Sequence, residues 1–254
     1  MSLREALSSP DRKARYVRRL FGTIADRYDL ITVLLSYGRD RAWKRRLGEM
    51  ADVRPGVRAL DLACGTGDIT LDLARRGARA IGLDITPRMI ALARKKAGSL
   101  DGPAVDGFLV GDMMALPCPD AAFDLVTSGY GLRNVPDLDG ALDEIRRVLK
   151  PGGRFVSLDF DRPPGWLLRT TYLTYLTIVG SLVGLVLHGD PDTYRYIAES
   201  LRRYPGAAAV ADQLRARGFT DVRHLPVLGG LMAIHVGRVG QPASPPPAGA
   251  SVPR

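Results

Sequence analysis

The sequence predicts an α/β protein built on a doubly wound, mostly parallel seven-stranded sheet, with helices ahead of the sheet and an apolar insertion late in it. Three features carry that expectation. Short apolar runs of strand length alternate with helical segments from Ala59 to Phe160. A glycine turn, Gly65-Thr66-Gly67, joins the first run to the first helix of this series. Two closing strands lie within Phe219–Val239, with Gly229-Gly230 near their connection.

Residues 3–50 read as helical, with Val17, Leu20, Phe21, Ile24 and Tyr28 at roughly helical spacing and Leu30 to Leu35 prolonging the apolar character. Residues 1–50 are expected to cap the crevice or pack beside it. The run Ala59–Ala63 is the first buried parallel strand. Asp68 stands where it would cap the next helix, which runs to about Arg76 and stops at Gly77. Ala78–Leu83 is the second strand, with Asp84 at its tip. Pro87 starts a helix that turns Met89, Ile90, Leu92 and Ala93 inward. Phe108–Val110 leads to Asp112, and Phe123–Thr127 leads into a glycine-bearing loop, Ser128–Val135. Asp137 caps a helix over Ala141–Leu149, Lys150-Pro151-Gly152-Gly153 stops it, and Arg154–Phe160 is the fifth strand.

A strand, a glycine turn and a helix build a nucleotide crevice at the carboxyl end of a sheet. Gly65 and Gly67 let the backbone lie directly against a ligand. A dinucleotide fingerprint would carry a third glycine at position 70, where Thr70 stands, and the loop has no basic residue. A pyrophosphate is therefore a poor occupant. S-adenosylmethionine (SAM), which has no phosphate, fits better. Asp84, 17 residues after Gly67, can accept both ribose hydroxyls. Asp112 can accept the adenine amino group while Met113 and its neighbours cover the ring. Asp61, Thr66, Ile85 and Gly129 complete the expected cofactor site. The plainer readings are a glycine turn that only connects two elements and acids that only end strands.

The apolar fraction of 46% and the charged fraction of 25% are ordinary for a soluble globular chain, but the net charge of +9 is not. Arginines and lysines crowd positions 12–19 and 39–46. Such a face suits nucleic acid or an anionic membrane surface, yet no aromatic-interleaved RNA motif accompanies it, so no nucleic-acid partner is expected. Cys64 and Cys118 have neither metal nor redox spacing, which points to a reducing compartment and no metal. The charged start has no apolar signal region.

Leu60 to Asp68 and Arg147 to Gly153 resemble the class I SAM-dependent methyltransferases. Further pieces narrow the resemblance: Ala25-Asp26-Arg27-Tyr28-Asp29-Leu30, Ser36-Tyr37-Gly38, Trp43-Lys44, Tyr130-Gly131-Leu132-Arg133-Asn134-Val135 and Tyr194-Arg195-Tyr196-Ile197-Ala198-Glu199-Ser200. Over roughly residues 17–238 the chain is similar to the ubiquinone/menaquinone biosynthesis C-methyltransferase family. It departs from that family at Cys64, at Asp159-Phe160-Asp161, at Leu173 and at Ser181. Most of these departures fall after the fifth strand, where the substrate would be covered.

The resemblance implies a Rossmann-like SAM methyltransferase domain over 51–239, with a lid at about 162–205, acting on the ring of a prenylated quinol. Thr170–Leu187 offers about 18 uncharged residues, near the lower limit for a membrane span, but threonines, tyrosines, Gly180, Ser181 and Gly184 interrupt it. An apolar lid that takes a prenylated ring and touches the bilayer suits it better than a span or plain core. The expected place is the cytoplasm, peripheral on the inner membrane face, and a homodimer is left open. Residues 240–254, rich in proline, alanine and serine, are expected to be disordered.

For catalysis, Arg133 is the first candidate, to hold a phenolate or orient a water, with Asn134 positioning it and His188, Tyr172 and Asp159 ranked behind it; Tyr172, Tyr175, His188 and Tyr194 are candidates for the substrate side. An ion pair is the structural alternative for Arg133. The alternative functions are methylation of another small aromatic or lipid-like metabolite, and a noncatalytic scaffold of quinone synthesis.

Overall fold

A computed structural model describes residues 3–36, 38–99, 105–163 and 165–241. Tyr37 of the Ser36-Tyr37-Gly38 motif, and the expected disorder of the tail from residue 242 onward, lie outside the described residues. The helical start comprises α1 (Leu3–Ala6), α2 (Pro10–Ile24), α3 (Tyr28–Leu35) and α4 (Asp40–Met50). Strands and helices then alternate as β1 (Arg58–Leu62), α5 (Asp68–Arg75), β2 (Arg79–Asp84), α6 (Pro87–Gly98), β3 (Gly107–Val110) and β4 (Phe123–Gly129). After them come α7 (Leu138–Val148), β5 (Leu149–Phe160), α8 (Trp166–His188), α9 (Asp192–Arg203), α10 (Ala207–Ala216), β6 (Phe219–Val227) and β7 (Met232–Val239).

The seven strands form one sheet in the order β3-β2-β1-β4-β5-β7-β6, parallel except for β7, which runs antiparallel to both its neighbours. Strand order reverses between β1 and β4, which pair directly; a crevice opens at the carboxyl ends of such strands. Period-two alternation sorts the strand residues onto two faces. Leu60, Leu62, Val126 and Phe155 join the core cluster that includes α7, α9 and α10 residues, whereas Ala59, Leu125 and Val156 join the one that includes Leu47, Ile69 and Leu73.

Two local expectations are corrected. Asp68 does not cap α5: Gly67 is the cap residue, at φ +86° with no side chain to offer, and Asp68 is the first helical residue. A side chain on Gly67 would meet Phe108 at 3.0 Å, so glycine is required there for both conformation and space. Freed from capping, Asp68 pairs with Lys44 and Lys96 at 2.9 and 2.8 Å. The fifth strand also begins earlier than Arg154. Pro151 and Gly152, at φ +76°, end the helical path, and Leu149 already pairs with Phe123 before a register shift brings Arg154 opposite Leu125.

The expected lid is a helical pair, α8 against α9. Added Cβ atoms at Gly180 and Gly184 would meet the carbonyl oxygens of Tyr194 and Asp190 at 2.8 and 2.5 Å, so these small residues permit the close approach. The side of α8 away from α9 is apolar and bare: Ile178, Leu182, Leu185 and Val186 are each more than half exposed. By length and composition α8 could cross a membrane.

Candidate active site

Backbone turns at the carboxyl ends of β1, β2, β3 and β4 line a cleft of about 710 Å³, counting its open mouth. Gly65, Asp84, Ile85, Asp112, Met113 and Gly129, all expected cofactor residues, line it, and so does Asn134. Ala14, Val17 and Phe21 of α2 cover it from above. Asp84 is nearly buried, and its carboxylate accepts from the Gly65 and Thr86 backbone N–H groups at 3.0 and 2.8 Å. It therefore shapes the glycine turn, with lone pairs left for a ribose. Burial pushes its carboxyl above the usual range, against those two hydrogen bonds. Asp112 accepts from the Met114 N–H at 3.0 Å, which ties the turn beneath the methionines.

Three expected residues stand apart from that cleft. Thr66 lines a small neighbouring pocket and donates to Asp29. Gly67 packs under Phe108. Asp61 is fully buried, accepts from Thr70 and Thr127 at 2.7 and 2.8 Å, and so ties β1 to α5 and β4; burial pushes its carboxyl up to about 7.

A second cavity, of about 610 Å³, lies between α2–α3 and α9. Its wall is mostly apolar and aromatic, with Ile24, Ile31, Trp43, Phe160 and Tyr196 among the lining residues. Phe21, Tyr28 and Tyr130 line both cavities, so the two meet there. Arg133 lines the second cavity and is held from several sides. Its Nε lies 3.1 Å from Asp159 Oδ1, its backbone N–H donates to Asp159 Oδ2 at 3.1 Å, and its Nη1 donates to Ser200 at 2.9 Å. The guanidinium also lies 5.0 Å from the Phe160 ring centre. Burial pushes the Asp159 carboxyl up, while Arg133 pulls it down. Asn134 donates to the Tyr130 carbonyl at 2.7 Å and accepts from Tyr196 Oη at 3.0 Å, bracing the loop.

Of the expected substrate residues, only Tyr194 lines the second cavity. His188 stands 3.0 Å from the Tyr194 hydroxyl at the end of α8 and supports it from outside; burial, then Arg27, lowers its pKa. Tyr172 packs against the core and Tyr175 is partly exposed; neither lines the two cavities. Sequence reasoning gave no site role to Tyr28, Asp40, Lys44 or Tyr130. Asp40 is buried at the start of α4, accepts from Tyr130 Oη at 2.9 Å, and pairs with Lys44 at 2.7 Å. Tyr130 adopts φ +62°, a strained conformation for a side chain of its size. Its sequence signals are its place between Gly129 and Gly131 and its position at the head of the Tyr130–Val135 motif, neither of which points to Asp40.

Among the described residues, the cleft is lined by two acids, Asp84 and Asp112, and by no lysine or arginine. That charge balance suits a cationic sulfonium ligand and disfavours a pyrophosphate. Fold and site together define a SAM-dependent methyltransferase. The sequence model described as the ubiE/COQ5 methyltransferase family matches residues 9–239, and the chain belongs to that family. A demethylmenaquinone methyltransferase of Thermus thermophilus is 44% identical over 220 residues, 86% of this chain and 99% of that one. A ubiquinone/menaquinone biosynthesis C-methyltransferase of Teredinibacter turnerae is 37% identical, over 92% of this chain and 94% of that one. Among solved structures, a SAM-dependent methyltransferase of Thermotoga maritima, titled a possible histamine N-methyltransferase, superposes with TM-score 0.60 at 20% identity, over 87% of this chain and 99% of that one, which concerns the fold alone.

Proposed function

We propose that the chain transfers a methyl group to a ring carbon of a prenylated quinol in respiratory quinone biosynthesis, with a demethylated naphthoquinol as the first candidate. The observation that carries this reading is the apolar, aromatic cavity joined to the cofactor cleft at Phe21, Tyr28 and Tyr130. Such a cavity suits a flat ring better than a charged metabolite. The naphthoquinol is favoured because similar relatives from Thermus thermophilus and Streptomyces avermitilis carry the name demethylmenaquinone methyltransferase.

When bound, SAM supplies a methyl group on a cationic sulfur, already a strong electrophile. What remains for the chain is placement, which can supply roughly 7–11 kcal/mol of the barrier. Asp84 and Asp112 orient the nucleoside, Gly65 admits the backbone to close contact, and the helix α2 excludes water from above. Arg133, fixed by Asp159 and Ser200, holds a positive charge at the wall of the substrate cavity, where it stabilises a phenolate. Asn134 and Tyr196 keep its loop in place.

The bare apolar side of α8, with Leu30 and Val33 of α3 exposed as well, offers apolar surface for a prenyl tail outside the cavity. The reading therefore includes peripheral contact with the cytoplasmic face of a bilayer, aided by the chain's charge of +9. The test is turnover of labelled SAM with a demethylated naphthoquinol, a demethylated benzoquinol and an unprenylated naphthoquinol. Methylation of the prenylated naphthoquinol fastest of the three supports the reading. Equal or better use of the unprenylated ring favours another aromatic metabolite. No turnover with any of them favours a scaffold.

A further inference from the structure

Methylation of a quinol ring carbon releases one proton overall. The ring hydroxyl gives up a proton as the carbon–methyl bond forms and sulfur keeps the electron pair of its broken bond. The ring hydrogen is then lost and the oxygen takes a proton back. Something must receive the first proton inside a cavity walled mostly by apolar and aromatic side chains. Arg133 is a poor acceptor, being permanently charged and already paired with Asp159.

We infer that Tyr130 and Asp40 form a proton wire that takes the substrate hydroxyl proton from the junction of the two cavities and delivers it to an open polar cleft on the other side of α4. Tyr130 lines both cavities, and its hydroxyl donates to Asp40 Oδ1 at 2.9 Å, leaving its oxygen lone pairs to accept from a quinol hydroxyl. Asp40 is only 2% exposed, yet it also lines a separate, open cleft shared with Asp29, Lys44, Asp68 and Lys96. Among the described residues that line the cleft, Asp40 is the one that accepts a hydrogen bond from a side chain at the junction of the two cavities. The transfer is concerted: the quinol proton moves to Tyr130 Oη as the tyrosine proton moves to Asp40 Oδ1. Tyr130 is thus the catalytic residue, and Asp40 acts through it.

The surroundings agree. Burial and the neighbouring Asp40 hold the Tyr130 phenol well above its ordinary pKa, so it passes a proton rather than resting as a phenolate. Lys44 of α4 pairs with Asp40 at 2.7 Å and with Asp68 of α5 at 2.9 Å. Lys96 of α6 pairs with the same Asp68 and with Asp29 of α3. Asp72 and the guanidinium groups of Arg41, Arg45 and Arg75 line the same cleft, so the wire opens into a highly charged pocket that can pass the proton on to solvent. Tyr28 of α3 and, from β5, Asp159 complete the titratable groups that act on Tyr130. The left-handed backbone of Tyr130 is consistent with a residue held at a cost for its position.

The inference rests on the quinol reading, and wild-type turnover of a demethylated prenylated quinol is its reference; absence of that turnover overturns the reading and the wire with it. Given turnover, Tyr130→Phe keeps the ring and its packing on Phe160, 5.6 Å away, while removing the hydroxyl. Its kcat should fall by about 10²-fold at neutral pH, with SAM affinity by calorimetry unchanged. The deficit should narrow as pH rises, because the quinol hydroxyl then ionises without help. Asp40→Asn keeps the shape but cannot take a proton, and should give the same pH-dependent deficit; Asp40→Glu should restore part of it. A kcat within twofold of wild type in Tyr130→Phe, or a deficit that stays constant with pH in both folded variants, overturns the wire.

Discussion

The cleft at the strand ends and the aromatic cavity beside it are built by different means. The cleft is made by backbone turns at four strand ends, each within a few residues of a strand the sheet already fixes. The cavity is made by side chains of the neighbouring α2 and α3 and of α9, which follows them by well over a hundred residues in sequence. One site is inherited from the sheet. The other exists only when two helical layers close on each other, around a core cluster in which Val17, Leu20, Ile24 and Ile31 pack with Tyr194 and Tyr196. Damage to the cleft should therefore cost ligand affinity, whereas damage to the cavity should cost stability first.

The largest expected effect is on the cavity side. Arg133→Ala leaves Asp159 buried without its partner, a loss of about 3–5 kcal/mol in stability. Arg133→Lys keeps a charge but not the fork that reaches both Asp159 and Ser200. It should fold and retain partial turnover with unaltered SAM affinity. Thermal unfolding and kcat measured on both variants check this; an Arg133→Ala protein as stable as wild type would show that the ion pair does not support the cavity. On the cleft side, Asp84→Ala removes an acceptor for Gly65 and Thr86 as well as for the ribose. About 3 kcal/mol, or roughly 10²-fold in SAM affinity, should be lost with the cavity unaffected. Calorimetry showing wild-type affinity would remove Asp84 from the site.

The same contrast explains what could be read from the sequence. The strands, their acids and the glycine turn are local signals, and Asp84, Asp112, Gly65 and Gly129 stand in the cleft where local patterns placed them. Asp61 carried a similar signal, but strand alternation points it into the layer between sheet and α5, where it meets Thr70. The cavity was largely illegible. Tyr172 and Tyr175 lie in the apolar stretch expected to form the lid, yet the helix α8 turns its small residues to α9 and leaves most of its large ones outside. Asp40 and Tyr130, 90 residues apart, have no pattern in common; only the packing of α4 on the sheet brings them within 2.9 Å.

A smaller effect should sharpen the outer limit of the cavity. Ile178→Asp combined with Leu182→Asp places two charges on the bare side of α8, away from α9 and both cavities. Sedimentation with anionic vesicles should weaken by at least tenfold, about 1.4 kcal/mol, while turnover of a short-tailed quinol in detergent stays at the wild-type level. Vesicle binding that survives both charges would place the membrane contact elsewhere.

The smallest effect concerns the joint between the two regions. Lys13 of α2 reaches down to the Arg133 loop, where its ammonium donates to the backbone carbonyls of Arg133, at 3.0 Å, and Val135. Burial, then the charges of Arg133 and Arg203, lowers its pKa from 10.5 to about 8. A lysine with a lowered pKa in the folded state binds fewer protons there than in the unfolded chain, so its contribution to stability rises with pH between about 8 and 10.5. Tyrosines with raised pKa values, Tyr16 and Tyr194 among them, act in the opposite direction at higher pH, so the comparison must be a difference between proteins. Lys13→Met keeps the stem and removes the titration. The stability of wild type minus that of Lys13→Met should grow by about 1 kcal/mol between pH 7.5 and 9, at about 1.36 kcal/mol per pKa unit of full effect. Denaturant unfolding at the two pH values checks it. A difference that is flat with pH would mean that Lys13 stays solvated and that α2 rests on the loop without being fastened to it.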